Sequence, residues 1–290
     1  MADKKVLGFI GIGVMGASMA GHLLDAGNEL HVYNRTKSKA DKLVEKGAIW
    51  ENSPKDIAQK CDVIFSIVGF PKDVEETYLG PDGVVENAKP GAILVDMTTS
   101  SPKLAKRIWE AGKARGLGVL DAPVTGGDKG AREAILTILV GGDEADFKAV
   151  LPYFEKMGRT IRRMGEAGAG QNAKLANQIA ITGTMTGMCE AMAFAKSCGL
   201  DLDNLLGAIG GGAASSWSLT NYSPRILKGD FKPGFFIKHF IKDMKLAEEA
   251  AKELDMDLPA LALTLDLYRK LAEQGMENEG TQALYRYYEK

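Results

Sequence analysis

The sequence predicts an α/β chain. A doubly wound, mostly parallel sheet domain spans residues 1–165, an all-helical domain spans 166–290, and a long central helix near 168–198 links them. Three observations predict this. Short apolar runs alternate with charged, helix-favouring segments through the first half, as right-handed β-α-β units require. A glycine-rich turn joins the first apolar run to the first helical segment. The alternation then stops at Gly165-Glu166-Ala167-Gly168-Ala169-Gly170, where a long, nearly uncharged stretch begins.

The first run, residues 6–10, feeds G-x-G-x-x-G at Gly11, Gly13 and Gly16, and an amphipathic segment follows from Ala17 to Gly27. Strand, glycine turn and helix in that order make the geometry that binds a dinucleotide pyrophosphate, and with it a Rossmann-like domain is expected. Gly11 allows the tight turn, Gly13 lets phosphate approach the backbone, and Gly16 lets the helix pack closely on the strand. The free N–H groups and positive dipole end of the helix then face the anion. The expected cofactor contacts are Gly11, Ile12, Gly13, Val14, Met15 and Gly16.

Further buried strands are read at 30–33, 63–68, 92–95, 118–121 and 135–140, with helical segments at 37–46, 72–78 and 103–115. Runs near Ile135 and Ile161 are expected to add an antiparallel edge. From Gln171 to Cys198 the chain is rich in Ala, Met, Ile and Gly and lacks proline, so it reads as a buried helix. Gly183, Gly187 and Ala191, spaced i, i+4, i+8, suit the close approach of another helix. Helices then follow one another, broken at Gly210-Gly211-Gly212, Pro224, Pro233-Gly234 and Pro259.

Composition narrows the function classes. A chain of 290 residues, 45% hydrophobic and 26% charged, has room for two domains and ordinary cores. Its net charge of -2 gives no pull toward nucleic acid or an anionic membrane. No apolar run approaches a membrane span and no charged-then-apolar leader precedes Val6, so a soluble, cytoplasmic protein is expected. The cysteines (Cys61, Cys189, Cys198) and histidines (His22, His31, His239) lack metal-ligand spacing. No metal is expected, and the odd thiol count argues against a disulfide framework.

An NAD-type site places an acidic residue after the second strand, to bind the ribose 2′-hydroxyl. Here that strand runs into Asn34-Arg35-Thr36. A guanidinium at Arg35 can pair with a 2′-phosphate where a carboxylate would repel it. NADP(H) is therefore favoured, and NAD(H) remains possible because no carboxylate has to be removed. The competing reading makes Asn34 and Thr36 helix caps and Arg35 a solvated charge.

Four ordered segments resemble the β-hydroxyacid dehydrogenase family, of the 3-hydroxyisobutyrate dehydrogenase and tartronate semialdehyde reductase type. They are Gly8-Phe9-Ile10-Gly11-Ile12-Gly13-Val14-Met15-Gly16, Asp121-Ala122-Pro123-Val124-Thr125-Gly126-Gly127, the stretch from Gly168 to Gln178, and Lys242-Asp243 with Leu246-Ala247. The resemblance spans essentially the whole chain. It implies an NAD(P)-dependent enzyme that interconverts a small 3-hydroxy acid and its semialdehyde. Lys174 becomes the catalytic acid and base, with Asn177 and Gln178 beside it on one helical face. Lys174 opens the least charged segment, where burial would disfavour its ammonium; a lysine snorkelling to water is the competing reading.

The resemblance also gives Thr125, Gly126, Gly127 and Lys242 to the substrate carboxylate. Thr99, Val68, Pro71 and again Lys242 fall to the cofactor. Departures are Gln178 for the commoner Asn, and Thr125 for the commoner Ser, whose added methyl narrows the pocket. Phe235 and Trp217 read more readily as core than as pocket caps. Kept in competition are a tartronate, succinic semialdehyde or glyoxylate reductase, an imine reductase, a 6-phosphogluconate-type decarboxylase, and a non-catalytic NADP-binding module. Imine reductases usually lack the lysine at position 174, and the decarboxylase needs a longer helical domain. A homodimer or homotetramer is expected.

Overall fold

The computed structural model describes residues 5–289. The expectation that no leader precedes Val6 falls on residues 1–4, outside those described. The chain divides into two compact units, Met1–Lys174 and Leu175–Lys290.

Among the described residues of the first unit, nine strands form one sheet. They are β1 (Leu7–Ile10), β2 (Leu30–Tyr33), β3 (Ile49–Trp50), β4 (Val63–Ser66), β5 (Ile93–Asp96), β6 (Gly118–Asp121), β7 (Val124–Thr125), β8 (Leu136–Gly142) and β9 (Gly158–Gly165). The order is β3-β2-β1-β4-β5-β6-β8-β7, with β9 beside β8. Strands β1 to β6 pair in parallel, while β8 runs antiparallel to β6 and β7 and carries β9 parallel to itself. The antiparallel edge expected from the later runs is present.

The helices of this unit are α1 (Val14–Asp25), α2 (Asp41–Glu45), α3 (Pro54–Lys60), α4 (Pro71–Leu79), α5 (Val84–Asn87), α6 (Pro102–Ala114), α7 (Gly127–Arg132) and α8 (Glu144–Phe154). Each of β1 to β6 is four residues long or fewer, and most are apolar on both faces because helices cover both. Leu7, Phe9, Val32, Val63 and Phe65 fill one core, and Ile10, Ile64 and Leu94 join Ile57, Val74 and Tyr78 in the other. The alternation along β1 and β4 is the period-two side-chain pattern of a strand. Burying each such Leu, Ile or Phe stabilises the fold by about 1.5–3 kcal/mol.

Register places the functional loops. Ile10 pairs with Tyr33 and with Ser66, Ser66 with Asp96, and Asp96 with Asp121. The last residues of β2, β1, β4, β5 and β6 therefore stand in one row. The chain leaves all five strands on the same edge, and strand order reverses between β1 and β4. Open α/β sheets bind ligands at such a switch point.

Helix α9 (Ala169–Ser197) continues the chain into the second unit. The division into units falls at Lys174, inside this helix, whose first turn is bonded to the sheet. The second unit adds α10 (Leu202–Ile209), α11 (Trp217–Leu227), α12 (Ile237–Glu253) and α13 (Pro259–Glu273), and its core gathers Met185, Met188, Cys189, Met192, Phe240, Met244 and Tyr268. One sequence expectation needs correction. Pro224 lies inside α11 and does not break it; the carbonyl it leaves without a helical donor belongs to the exposed Thr220. Gly183, Gly187 and Ala191 lie exposed, and a Cβ at either glycine would meet nothing. The opposite, methionine face of the helix turns inward.

Candidate active site

The glycine turn is built by sterics at two positions and by openness at a third. Gly11 has φ +97°, donates its N–H to the Tyr33 carbonyl at 2.9 Å, and has no room for a Cβ because the Ile67 carbonyl oxygen lies there. A Cβ on Gly16 would strike the carbonyl of Gly11, so only glycine lets α1 start against the turn. At Gly13 nothing in the protein lies within 4 Å of a Cβ, and the backbone there is extended. The protein itself has no need of glycine at that position. The open volume lies at the N-cap of α1, where helix geometry leaves N–H donors without partners. This cradle fits a pyrophosphate.

The second strand's exit ties back to the turn. Asn34 Oδ1 accepts from the Ile12 N–H at 3.0 Å, and Asn34 Nδ2 donates to the Thr36 carbonyl at 2.8 Å. Thr36 makes no side-chain cap on the 3₁₀ turn Lys37–Ala40. The amide thus braces two loops instead of capping a helix. Arg35 is 76% exposed and pairs with Asp73 at 2.9 Å. Asp73 in turn accepts from the Phe70 N–H at 3.0 Å, on the first turn of α4 that Pro71 opens. The Val68 N–H donates to Thr98 Oγ1 at 3.0 Å, joining the loops after β4 and β5, the second of which carries Thr99.

A buried polar row runs behind these loops. Ser66 Oγ lies 2.8 Å from Tyr78 Oη and donates to Asp96 at 3.2 Å, and Asp96 also accepts from the Thr98 N–H. Asp121, 4% exposed at the end of β6, accepts from the backbone N–H groups of Gly168 at 2.7 Å and Gln171 at 2.8 Å. Gln171 receives the Ser100 N–H and donates to the Thr98 carbonyl, both at 2.8 Å. These bonds keep the start of α9 with the sheet. Lys174, 6% exposed, follows on the next turn. Thr125 ends β7, and Gly126 and Gly127 follow with φ of +129° and +64°, a succession that glycine alone adopts readily.

Burial raises the Asp121 carboxyl to about 7, with Asp96 adding repulsion; the two N–H bonds pull the other way. A folded-state value above the ordinary 3.8 means that the folded chain holds an extra proton between about pH 4 and pH 7. The stability this group contributes therefore falls as pH rises through that window. Urea unfolding of the wild type and Asp121→Asn from pH 5 to pH 8 checks this: the wild type is expected to lose stability relative to the variant as pH rises.

The second unit holds its own polar row. Asn177 Nδ2 donates to Gln178 Oε1 at 2.8 Å, and Gln178 Nε2 donates to Asp243 Oδ2 at 2.6 Å. Asp243 also pairs with Lys242 at 3.1 Å and is fully buried. With both ends of its amide engaged, Gln178 bridges Asn177 to Asp243. Trp217 is 60% exposed with its ring edge-on to Tyr222, and Phe235 packs on Phe240. Sequence reasoning gave no role to Asp73, Asp96, Asp121, Gln171 or Asp243. A carboxylate closing an apolar strand is the signal that marks Asp96 and Asp121.

Two family models cover almost the entire chain. Residues 6–165 match the NAD-binding domain of 6-phosphogluconate dehydrogenase, and residues 168–288 match the NAD-binding model of NADP-dependent 3-hydroxyisobutyrate dehydrogenase. The chain belongs to the β-hydroxyacid dehydrogenase family. An uncharacterized oxidoreductase, YkwC, of Bacillus subtilis is 53% identical, with 98% of each chain covered. A probable 3-hydroxyisobutyrate dehydrogenase-like protein of Arabidopsis thaliana is 46% identical over 96% of this chain and 83% of its own length. The solved structure of Mycobacterium tuberculosis 3-hydroxyisobutyrate dehydrogenase with L-serine superposes with a TM-score of 0.90 at 28% identity, covering 98% of each chain. As a member of this family the protein is an NAD(P)-dependent oxidoreductase acting on a hydroxyl-bearing carbon. Among the described residues no helix is long and apolar enough to cross a membrane, and no cluster of His, Cys, Asp and Glu is arranged to hold a metal.

Proposed function

We propose that this β-hydroxyacid dehydrogenase interconverts a small 3-hydroxy acid and its semialdehyde, 3-hydroxyisobutyrate or a close analogue, with NADP(H) favoured over NAD(H). The observation that carries the reading is the single row of strand ends, from which the glycine cradle, the Asn34-Arg35-Thr36 turn and the Thr99 loop all leave. Lys174, buried on a helix bonded to the last of those strands, is the proton relay. The cofactor, when bound, supplies the hydride acceptor or donor. In the oxidative direction Lys174 takes the hydroxyl proton as hydride leaves the same carbon, and a carbonyl results; in reduction it returns the proton to oxygen. Thr125, Gly126 and Gly127 hold the substrate carboxylate, which orients the reacting carbon. In the second unit, Lys242 serves a carboxylate and Asn177 a hydroxyl, both braced by Gln178 and Asp243. The exposed stripe of Gly183, Gly187, Ala191 and Phe194 supports a homodimer or homotetramer.

The test is NADPH and NADH oxidation, followed in parallel, against methylmalonate, tartronate and succinic semialdehydes and glyoxylate, with 3-hydroxyisobutyrate and serine in reverse. Turnover on a 3-oxo acid such as methylmalonate semialdehyde supports the reading, and turnover on glyoxylate alone replaces it. Cofactor binding with no turnover on any leaves a non-catalytic module. Asp73 bears on the cofactor ratio, because its carboxylate occupies Arg35 and adds negative charge where a 2′-phosphate would sit. Asp73→Asn is expected to raise the NADPH-to-NADH ratio of kcat/KM by roughly fivefold, the size of one exposed ion pair. An unchanged ratio would remove Arg35 from cofactor selection.

A further inference from the structure

We propose that Asp121 is a positioning residue for Lys174: from the end of β6 it caps the helix that carries the lysine and sets that side chain's place above the sheet edge. The inference rests on the reading of Lys174 as the proton relay. Helix α9 is 29 residues long, and its first N–H groups have no partners within the helix. A Ser, Thr, Asp or Asn immediately before the helix normally accepts from one of them. Here Gly168 fills that place and has no side chain. The acceptor comes from 47 residues upstream, with one Asp121 oxygen on the Gly168 N–H and the other on the Gln171 N–H. A carboxylate at a helix N-terminus is also favoured by the helix dipole.

The seating is tight as well as bonded. A Cβ at Gly141, on β8, would collide with the Asp121 carboxylate and with the N–H groups of Ala169 and Gly170. A Cβ at Gly170 would meet the carbonyls of Asp121 and Leu139 at 2.5 Å. Two glycines thus let the helix start rest directly on the ends of β6 and β8. Gln171, fully buried, then fastens the same turn to Thr98 and Ser100, on either side of Thr99. Lys174 lies three residues further, about 4.5 Å along the axis. With the first turn held on two sides, the backbone that carries Lys174 is fixed relative to the strand ends. Misplacement of a reacting group by about 1 Å costs on the order of a hundredfold in rate.

Asp121→Asn tests this in the full-length protein. An amide in that place accepts from one N–H and turns its own donor on the other. We expect kcat to fall by about ten- to a hundredfold, with the affinity for NADP(H) and the substrate KM each within about threefold of wild type. The solvent deuterium isotope effect on kcat is expected to rise as proton transfer becomes limiting. A merely structural role would lower the active fraction and leave the isotope effect unmoved; that result overturns the proposal, as does wild-type kcat. Should Asp121→Asn not fold, Gln171→Met answers in its place, with the same split and isotope effect expected. Lys174→Ala is run alongside. Wild-type turnover there refutes the reading of Lys174 itself, whereas a dead Lys174→Ala with a normal Asp121→Asn refutes only the positioning.

Discussion

Replacing Lys174 with alanine is expected to lower kcat by about 10²–10⁴-fold, the span of a positioned acid–base group. The affinity for NADP(H), measured by fluorescence titration, is expected to stay within about threefold of wild type, because the cradle lies at the start of α1 and Lys174 lies on α9. Alanine also removes a buried side chain, so Lys174→Met serves as the volume control. Loss of turnover in both variants with unchanged melting assigns the effect to the amine. Loss of melting temperature with retained turnover per folded molecule would return Lys174 to a packing role.

The glycine turn separates into two kinds of position, and their variants are expected to fail differently. Gly16→Ala puts a methyl onto the Gly11 carbonyl, and Gly11→Ala adds a positive φ to a clash with the Ile67 carbonyl. Neither obstacle is a flexible side chain, so each variant is expected to cost at least about 1–3 kcal/mol of stability and to lose cofactor binding with the fold. Gly13→Ala meets nothing in the protein. It is expected to melt as wild type does while binding NADP(H) about tenfold more weakly, since the methyl takes the space of the pyrophosphate. Thermal melts with and without NADP(H) check all three. Undiminished NADP(H) stabilisation of Gly13→Ala would move the pyrophosphate away from the start of α1.

The sheet was legible because β1, β4, β5 and β6 are buried on both faces and read as largely apolar runs. Strands β3 and β7, two residues each, leave no such run and appear only in the pairing. Helix α9 was visible as a long uncharged segment, but the bonds that fasten its first turn to the sheet were not. They run from Asp121 to Gly168 and Gln171 across 47 and 50 residues, and no local periodicity encodes such contacts. Among candidate site residues, Lys174 and the glycines stand in short motifs with a stated mechanism. Asn34 was named from the end of the second strand and Gln178 from its place beside Lys174, but their bonds were not legible: one holds the Ile12 N–H, the other joins Asn177 to Asp243. Amides make two-sided bonds, and which sides are taken is a property of the fold. Pro224 shows the converse, a helix breaker tolerated because the carbonyl it orphans belongs to an exposed residue.

The central claim is direct hydride transfer between a nicotinamide and the carbonyl carbon of a small semialdehyde. The most direct measurement incubates the wild type with methylmalonate semialdehyde and NADPH deuterated at C4 of the nicotinamide, in both stereochemical forms, and reads the product by mass spectrometry. One form is expected to place a single deuterium on C3 of 3-hydroxyisobutyrate and the other none. Product without label from either form, or cofactor consumption with no hydroxy acid formed, would contradict the account.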